Sequence, residues 1–279
     1  ARQAHIDEVN SLRTALRIGL GLLCLMGSSF SAHATNFAVG QIVLASPTPP
    51  PAPSFTTVNF AQTFGSTPLV FVSPTNDATS ESSVRIRNVT TSGFEIAHVF
   101  PNNSSSTYPA TTIDYIAITP GTHTVDSQTI VAGSVSTQRF QSKFGGASWE
   151  TVNFGLTFSA VPAVITQVQT MANEAVPDLS TPSVPWLELA MQSVTTSQMD
   201  IALERAETTT GSISSNETIG YMAMAGGASG NFVDANTTSI DFEAVRSADT
   251  ITNNCTSVTL TAFGSTPTAV ASQNTRDGG

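Results

Sequence analysis

Charge is what this sequence has least of. Asp, Glu, Lys and Arg make up 11% of its 279 residues, under half of the roughly 25% found in an average soluble protein. Positive charge is the scarcer sign, with 10 Lys and Arg against 20 Asp and Glu for a net charge of −10. Without a basic excess nothing draws phosphates into a groove, so nucleic acid is not an expected partner. Long apolar runs are also missing beyond residue 27, so no later segment is expected to cross a membrane as a helix. The sequence has no paired Cys/His zinc spacing, no Gly-rich phosphate loop and no Gly-x-Ser-x-Gly elbow. Past the N-terminal segment only His98 and His123 could serve as a base. These absences point away from catalysis. What is abundant instead is Thr, Ser and Asn, which predicts a surface of hydroxyls and amides.

The one long apolar run is N-terminal. Arg13 and Arg17 precede Ile18-Gly19-Leu20-Gly21-Leu22-Leu23-Cys24-Leu25-Met26-Gly27, and Ala32-His33-Ala34 follows. Positive residues, about ten apolar residues and an A-x-A site in that order make a secretory signal peptide. The run is too short to span a bilayer, and Leu23 before Cys24 is too large for lipid attachment. Residues 1–34 are therefore expected to be an N-terminal extension and signal peptide, and the chain to be exported, secreted or held at a cell surface. Removing that segment, which carries three Arg against Asp7 and Glu8, leaves a net charge of about −11. It also leaves Cys255 without a second cysteine, so its expected partner lies outside the two complete repeats described next.

Self-similarity organises the rest. Thr57-Val58-Asn59-Phe60, Thr63-Phe64, Pro68 and Val70 recur with identical spacing as Thr151-Val152-Asn153-Phe154, Thr157-Phe158, Pro162 and Val164. Asn88-Val89-Thr90-Thr91-Ser92-Gly93-Phe94-Glu95-Ile96 is echoed by Ser193 to Ile201, and Thr112 to Ile118 by Thr218 to Met224. A third copy opens at Val258-Thr259-Leu260 and Phe263-Gly264-Ser265-Thr266-Pro267. A strand is expected ahead of each block, at Gly40-Gln41-Ile42-Val43, at Gly133-Ser134-Val135 and at Ile240 to Val245. The expected organisation is all-β: tandem antiparallel β-sandwich modules at 35–128 and 129–230, with a truncated third at 231–279. The Pro-rich stretch 46–53 reads as a stiff loop within the first module or as a spacer before a shorter one. Val84 to Arg87 and Phe94 to Phe100 alternate as half-buried strands do, and Ser92-Gly93 reads as the turn between them. The Tyr115 strand is apolar on both faces, Ile113, Tyr115 and Ala117 on one and Ile116 and Ile118 on the other. It should be central, or covered on its second face by a neighbouring module or subunit.

The order Val58-Asn59-Phe60, then Phe64 to Val70, then Asn88 to Phe94, then Tyr115-Ile116-Ala117 resembles the H-type lectin domain. It is also similar to repeated modules of large bacterial surface proteins. The lectin resemblance implies a six-stranded antiparallel sandwich, often oligomeric, that binds sugars such as N-acetylgalactosamine. Its last strand usually carries Trp-x-Ala, where this sequence has Tyr115 and Tyr221, and Met199 replaces the Phe of the Gly-Phe pair in the second module. Ligand-binding candidates are Arg85 and Arg87, whose donor forks could hold sugar hydroxyls, with Tyr115 and Tyr221 as the aromatic contribution. The competing reading of the arginines is two solvated charges, since Ala190 and Gln192 stand at the matching positions.

Four further groups have bland readings beside the sharp ones. His98 shares a strand face with Phe94 and Ile96 and is expected at the core or its edge. Asn76, Asp77 and Glu81, and Asn173, Glu174 and Asp178, could offer oxygens to Ca²⁺, but match no calcium loop; no cofactor is expected otherwise. Asp200 and Glu204 could mimic a glycosidase pair, yet the first module has Glu95 and Val99 there, so no enzyme is expected. Asn88, Asn102, Asn103, Asn216, Asn236 and Asn254 begin N-x-Ser/Thr triplets, as glycan acceptors or by chance in a Thr/Ser/Asn-rich chain. The expected function is carbohydrate binding or adhesion, with glycans or surface polysaccharide as ligand and neighbouring modules or a homo-oligomer as further partners. The alternatives are a structural stalk and an ancillary region of a larger exported enzyme.

Overall fold

Alternation of apolar and polar side chains sets nearly every element. The computed structural model describes residues 36–45, 54–74, 83–99, 110–141, 148–174, 184–206, 211–233, 239–248 and 257–273. The signal-type segment at 1–34, the Pro-rich stretch, Asn76, Asp77, Glu81, Asp178, Cys255 and the triplets at Asn102, Asn103, Asn236 and Asn254 lie outside the described residues. All regular elements among the described residues are strands, so the protein is all-β.

Six strands build the first sandwich: β1 (Phe37–Leu44), β2 (Thr56–Asn59), β3 (Leu69–Pro74), β4 (Ser83–Arg87), β5 (Gly93–Val99) and β6 (Thr111–Ile118). They pair as two antiparallel sheets, β1-β6-β3 and β2-β5-β4. Between the sheets lies an apolar core containing Val70, Ile86, Phe94, Ile96, Ile113, Tyr115 and Ala117. The second sandwich uses β7 (Gly121–Val125), β8 (Gln128–Thr137), β9 (Phe140–Gln141), β10 (Glu150–Asn153), β11 (Pro162–Val168), β12 (Leu187–Gln192), β13 (Gln198–Arg205) and β14 (Glu217–Ala225). Its sheets run β11-β14-β8-β7 and β10-β13-β12, with β9 added to β13 in parallel. β15 (Ser229–Val233) and β16 (Ser239–Glu243) form a hairpin beyond it. The strands expected ahead of each block are present as β1, β8 and β16. One strand lies differently from the sequence division: β7 falls within 35–128, yet it bonds to β8 in the second sandwich. The β7–β8 turn is tight, with Asp126 and Ser127 both at positive φ (45° and 64°), as two-residue hairpin turns require.

The two motif blocks recur together because each is half of one hydrogen-bonded corner. The Phe60 amide donates to Ser92 O at 2.9 Å and the Phe64 amide to Thr91 O at 2.9 Å. In the second sandwich Phe154 donates to Ser197 O at 2.9 Å and Phe158 to Thr196 O at 2.8 Å. Thr90 and Thr195 close these corners by donating their amides to Gly93 O and Gln198 O, each at 2.8 Å. The left-handed residue that starts the turn is Asn88 (φ 51°), matched by Ser193 (φ 51°). The turn expected at Ser92-Gly93 is therefore launched four residues earlier, and Gln198 can replace Gly93 without losing it. Under each corner the aromatic residues pack edge to face, Phe60 on Phe64 at 4.9 Å and Phe154 on Phe158 at 5.6 Å.

Each sandwich also pairs a glycine with its buried tyrosine. Gly40 lies opposite Tyr115 on β6, and Gly133 opposite Tyr221 on β14. A Cβ at Gly40 would fall 2.6 Å from the Tyr115 ring, and one at Gly133 would fall 2.4 Å from the Tyr221 oxygen. The rings thus occupy the space the glycines vacate. Gly133→Ala is expected to destabilise the protein by about 1–3 kcal/mol through overpacking, measured by denaturant unfolding. In a Tyr221→Ala background the same glycine change should cost much less, because the space is then empty.

Candidate functional site

Alternation on β4 places Val84 and Ile86 in the first core and turns Ser83, Arg85 and Arg87 to the outer face. Arg85 pairs in register with Ala97 of β5, whose side chain is buried on that outer face with Val99 against Trp186 of the second sandwich. The face that reads as polar in the sequence is thus covered. Arg85 is 4% exposed. Its Nε and Nη2 donate to the two Glu174 oxygens at 2.7 and 2.8 Å, while Nη1 donates to Ser83 Oγ at 2.7 Å and Glu188 Oε1 at 3.2 Å. The guanidinium carbon lies 4.8 Å from the Trp186 ring centroid. Burial alone would lower the Arg85 pKa, but Glu174 and Glu188 more than reverse this and hold it above its ordinary value.

Glu174 is set in place by its own loop. Its Oε1 also accepts from the Leu187 amide at 2.9 Å. One residue earlier, Asn173 donates its amide to Glu217 at 2.8 Å and accepts from the Ser214 and Ser215 amides at 2.8 and 2.9 Å. Glu217, fully buried, additionally accepts from Thr170 and from the Ala172 amide. The oxygens read as possible calcium donors at Asn173 and Glu174 are thus engaged by protein donors. Among the described residues no group of three His, Cys, Asp or Glu is arranged to hold a metal.

Beside the Arg85 pair opens a cleft of about 390 Å³, within the roughly 300–1,000 Å³ of small-ligand sites. Its first wall carries Ser73, Ser83 and His98; its second carries Thr166, Gln167 and Glu188. Ser272 and Gln273 from the C-terminal stretch close the end. The Glu188 side chain is 52% exposed and supplies the cleft with a carboxylate acceptor. The rest of the polar lining is hydroxyls, the amides of Gln167 and Gln273, the His98 imidazole and the paired Arg85 guanidinium. His98 is 7% exposed at the rim of the first core, where burial lowers its pKa from the ordinary 6.5.

The four sequence candidates are not brought together as one open site. Arg85 is a buried ion-pair partner rather than a solvated charge, because the second sandwich covers its strand face, and it forms part of the cleft lining. Arg87 lies half-buried, bonded to Glu95 at 2.6 Å and stacked 3.7 Å over the Phe55 ring. Tyr115 and Tyr221 are each 8% exposed and belong to the two separate cores, where burial raises both phenol pKa values. They pack against glycine backbone rather than offering a face to a ligand. Glu188, Thr166 and Gln167 were missed, since nothing in their local pattern shows that β11 and β12 border β3 and β4.

Residues 55–118 match the model of the H-type lectin domain family, a span covering β2 to β6 of the first sandwich. No curated protein and no solved structure matches the chain.

Removing one member of the buried pair strands the other. Glu174→Gln is expected to cost about 3–5 kcal/mol, while Glu188→Gln, at a half-exposed position, should cost no more than about 1 kcal/mol. Replacing both buried partners, Arg85→Met with Glu174→Leu, should restore most of the loss in chemical denaturation. His98 imposes a pH dependence of its own. Its depressed folded pKa means the unfolded chain binds the proton more readily, so this contribution to stability is full above about pH 6.5 and declines as pH falls below that value. His98→Phe should flatten that part of the stability profile.

Proposed function

We propose that this chain is an exported carbohydrate-binding protein of tandem sandwich modules, and that the cleft between the first and second sandwiches is its ligand site. The H-type lectin match over residues 55–118 carries the reading, and the first wall of the cleft, with Ser73, Ser83 and His98, comes from that span. The chemistry agrees with a neutral, hydroxyl-rich ligand. Sugar hydroxyls both donate and accept, and the lining offers Glu188 as acceptor, Ser and Thr hydroxyls as either, and the Gln167 amide as both. Arg85 contributes indirectly in this reading: it is neutralised by Glu174 and holds Glu188 at the cleft edge. Binding without turnover fits a described lining that has a single carboxylate, Glu188, rather than a spaced pair. The signal-type order at residues 1–34 supports export, and a shallow polyol site on an exported chain supports adhesion to glycans or surface polysaccharide.

A second reading, a structural stalk without small ligands, draws on the apolar seam formed by Ala97, Val99 and Trp186. Glycan-array screening followed by calorimetry on residues 35–279 separates the two. Binding of neutral glycans is expected, weakened roughly 10- to 100-fold by Glu188→Ala through loss of a charge-assisted hydrogen bond. Tyr115→Phe should leave affinity unchanged because that ring is in the core. Absence of binding to any glycan would favour the stalk.

A further inference from the structure

Three stretches of this chain share a spacing in which an apolar residue follows a proline by three: Pro68 to Phe71, Pro162 to Ile165 and Pro267 to Val270. All three apolar residues meet in one cluster, together with Leu69, Ile118, Met224 and Phe242. The cluster lies on the outer faces of the β1-β6-β3 and β11-β14-β8-β7 sheets, and draws from the first sandwich, the second and the residues beyond 239.

The polar contacts around this cluster run in a cycle. From second to first, the Gln169 side-chain amide pairs with the free edge of β3, accepting from Val70 N at 3.0 Å and donating to Val70 O at 2.8 Å. That side chain lies over Gly220, where a Cβ would fall 2.9 Å from its nitrogen. From third to second, Ser272 Oγ accepts from Thr166 N at 2.9 Å and donates to Thr166 O at 3.3 Å. Between first and third, the Ala269 amide donates to Asp114 at 2.8 Å and the Ala271 amide to Ser73 Oγ at 3.1 Å. Asp114 stands where the second sandwich has Gly220, so the same strand position serves two different seams. The third stretch is also tied to β16, whose Glu243 accepts from the Thr261 and Ala262 amides at 2.8 and 3.0 Å.

We propose that these three stretches close a pseudo-threefold ring within a single polypeptide, residues 264–273 being its third wall. Head-to-tail contacts of this kind either close or propagate, and here first-to-second, second-to-third and third-to-first contacts are all made. The ring contacts cap Val70 on the edge of β3 and Thr166 on the edge of β11, at edges that would otherwise be open to further strands. They also set the end wall of the cleft through Ser272 and Gln273. The inference stands on the ring contacts and is independent of the carbohydrate reading.

Hydrogen exchange on the intact chain at several concentrations, with light scattering, tests it. Expected are a monomer at every concentration and Ala269 and Ala271 amides exchanging at least roughly tenfold slower than in unstructured chain. Val270→Asp should release both amides to near-unstructured rates while the Val70 amide, held by Gln169, stays protected. Ser73→Ala, a milder change, should accelerate Ala271 alone. Unprotected amides at 269 and 271 in the unaltered chain would overturn the proposal. So would their continued protection in Val270→Asp, or a concentration-dependent dimer.

Discussion

A β-strand that is apolar on both faces cannot be left on the outside of a two-layer sandwich, and most of the arrangement described above depends on that constraint. β6 buries Ile113, Tyr115 and Ala117 between its own sheets and presents Ile118 outward. β14 does the same with Ile219, Tyr221 and Ala223 inward and Met224 outward. Each fully buried side chain of this size contributes about 1.5–3 kcal/mol, so leaving two such faces wet would cost the chain more than a few hydrogen bonds could offset. Covering them brings the sandwiches together, and the proximity then determines what the polar residues near the seam can do.

Arg85 shows this most clearly. A guanidinium on the outer face of an isolated sheet is a solvated charge with donors to spare. Once Trp186, Glu174 and Glu188 close over it, the same side chain must be neutralised and fully hydrogen-bonded to persist. Its fork is then occupied by Glu174, and what remains accessible is Glu188. The exposed charge at this seam is therefore a carboxylate, Glu188, bordered by the hydroxyls of the cleft, on a different strand and in a different sandwich. Buried ion pairs of this kind add little net stability. What the structure shows here is a defined geometry: Glu174, held by the Leu187 amide, accepts the guanidinium through both oxygens.

Much of the fold was legible in the residues. Alternation in β4 and β5, the two-faced β6, the strands ahead of each block and the His98 position at a core edge all follow from period and residue type. The link between the Val-Asn-Phe and Val-Thr-Thr-Ser blocks is a local hydrogen-bonded corner, which is why both recur at fixed spacing. Gly40 and Gly133, Tyr115 and Tyr221 are visible in the sequence as two small residues and two large ones, but their facing each other is a matter of register. The candidate site was less legible. Tyr115 and Tyr221 lie buried against glycines on the core face of their strands, and an aromatic ring in a strand looks alike in sequence whether it meets a ligand or a glycine.

What the sequence determined by itself is an all-β chain with few charges, its strand faces and the corners that join them, since these rest on contacts among residues close together or matched in period. The tertiary structure alone decided that the Arg85 face is covered, that Glu188, Thr166 and Ser73 border one cleft, and that the three proline-led stretches meet. Those outcomes depend on how whole sheets pack. Packing is driven by apolar area, which has no direction of its own; only the finished geometry says which polar groups it carries into contact.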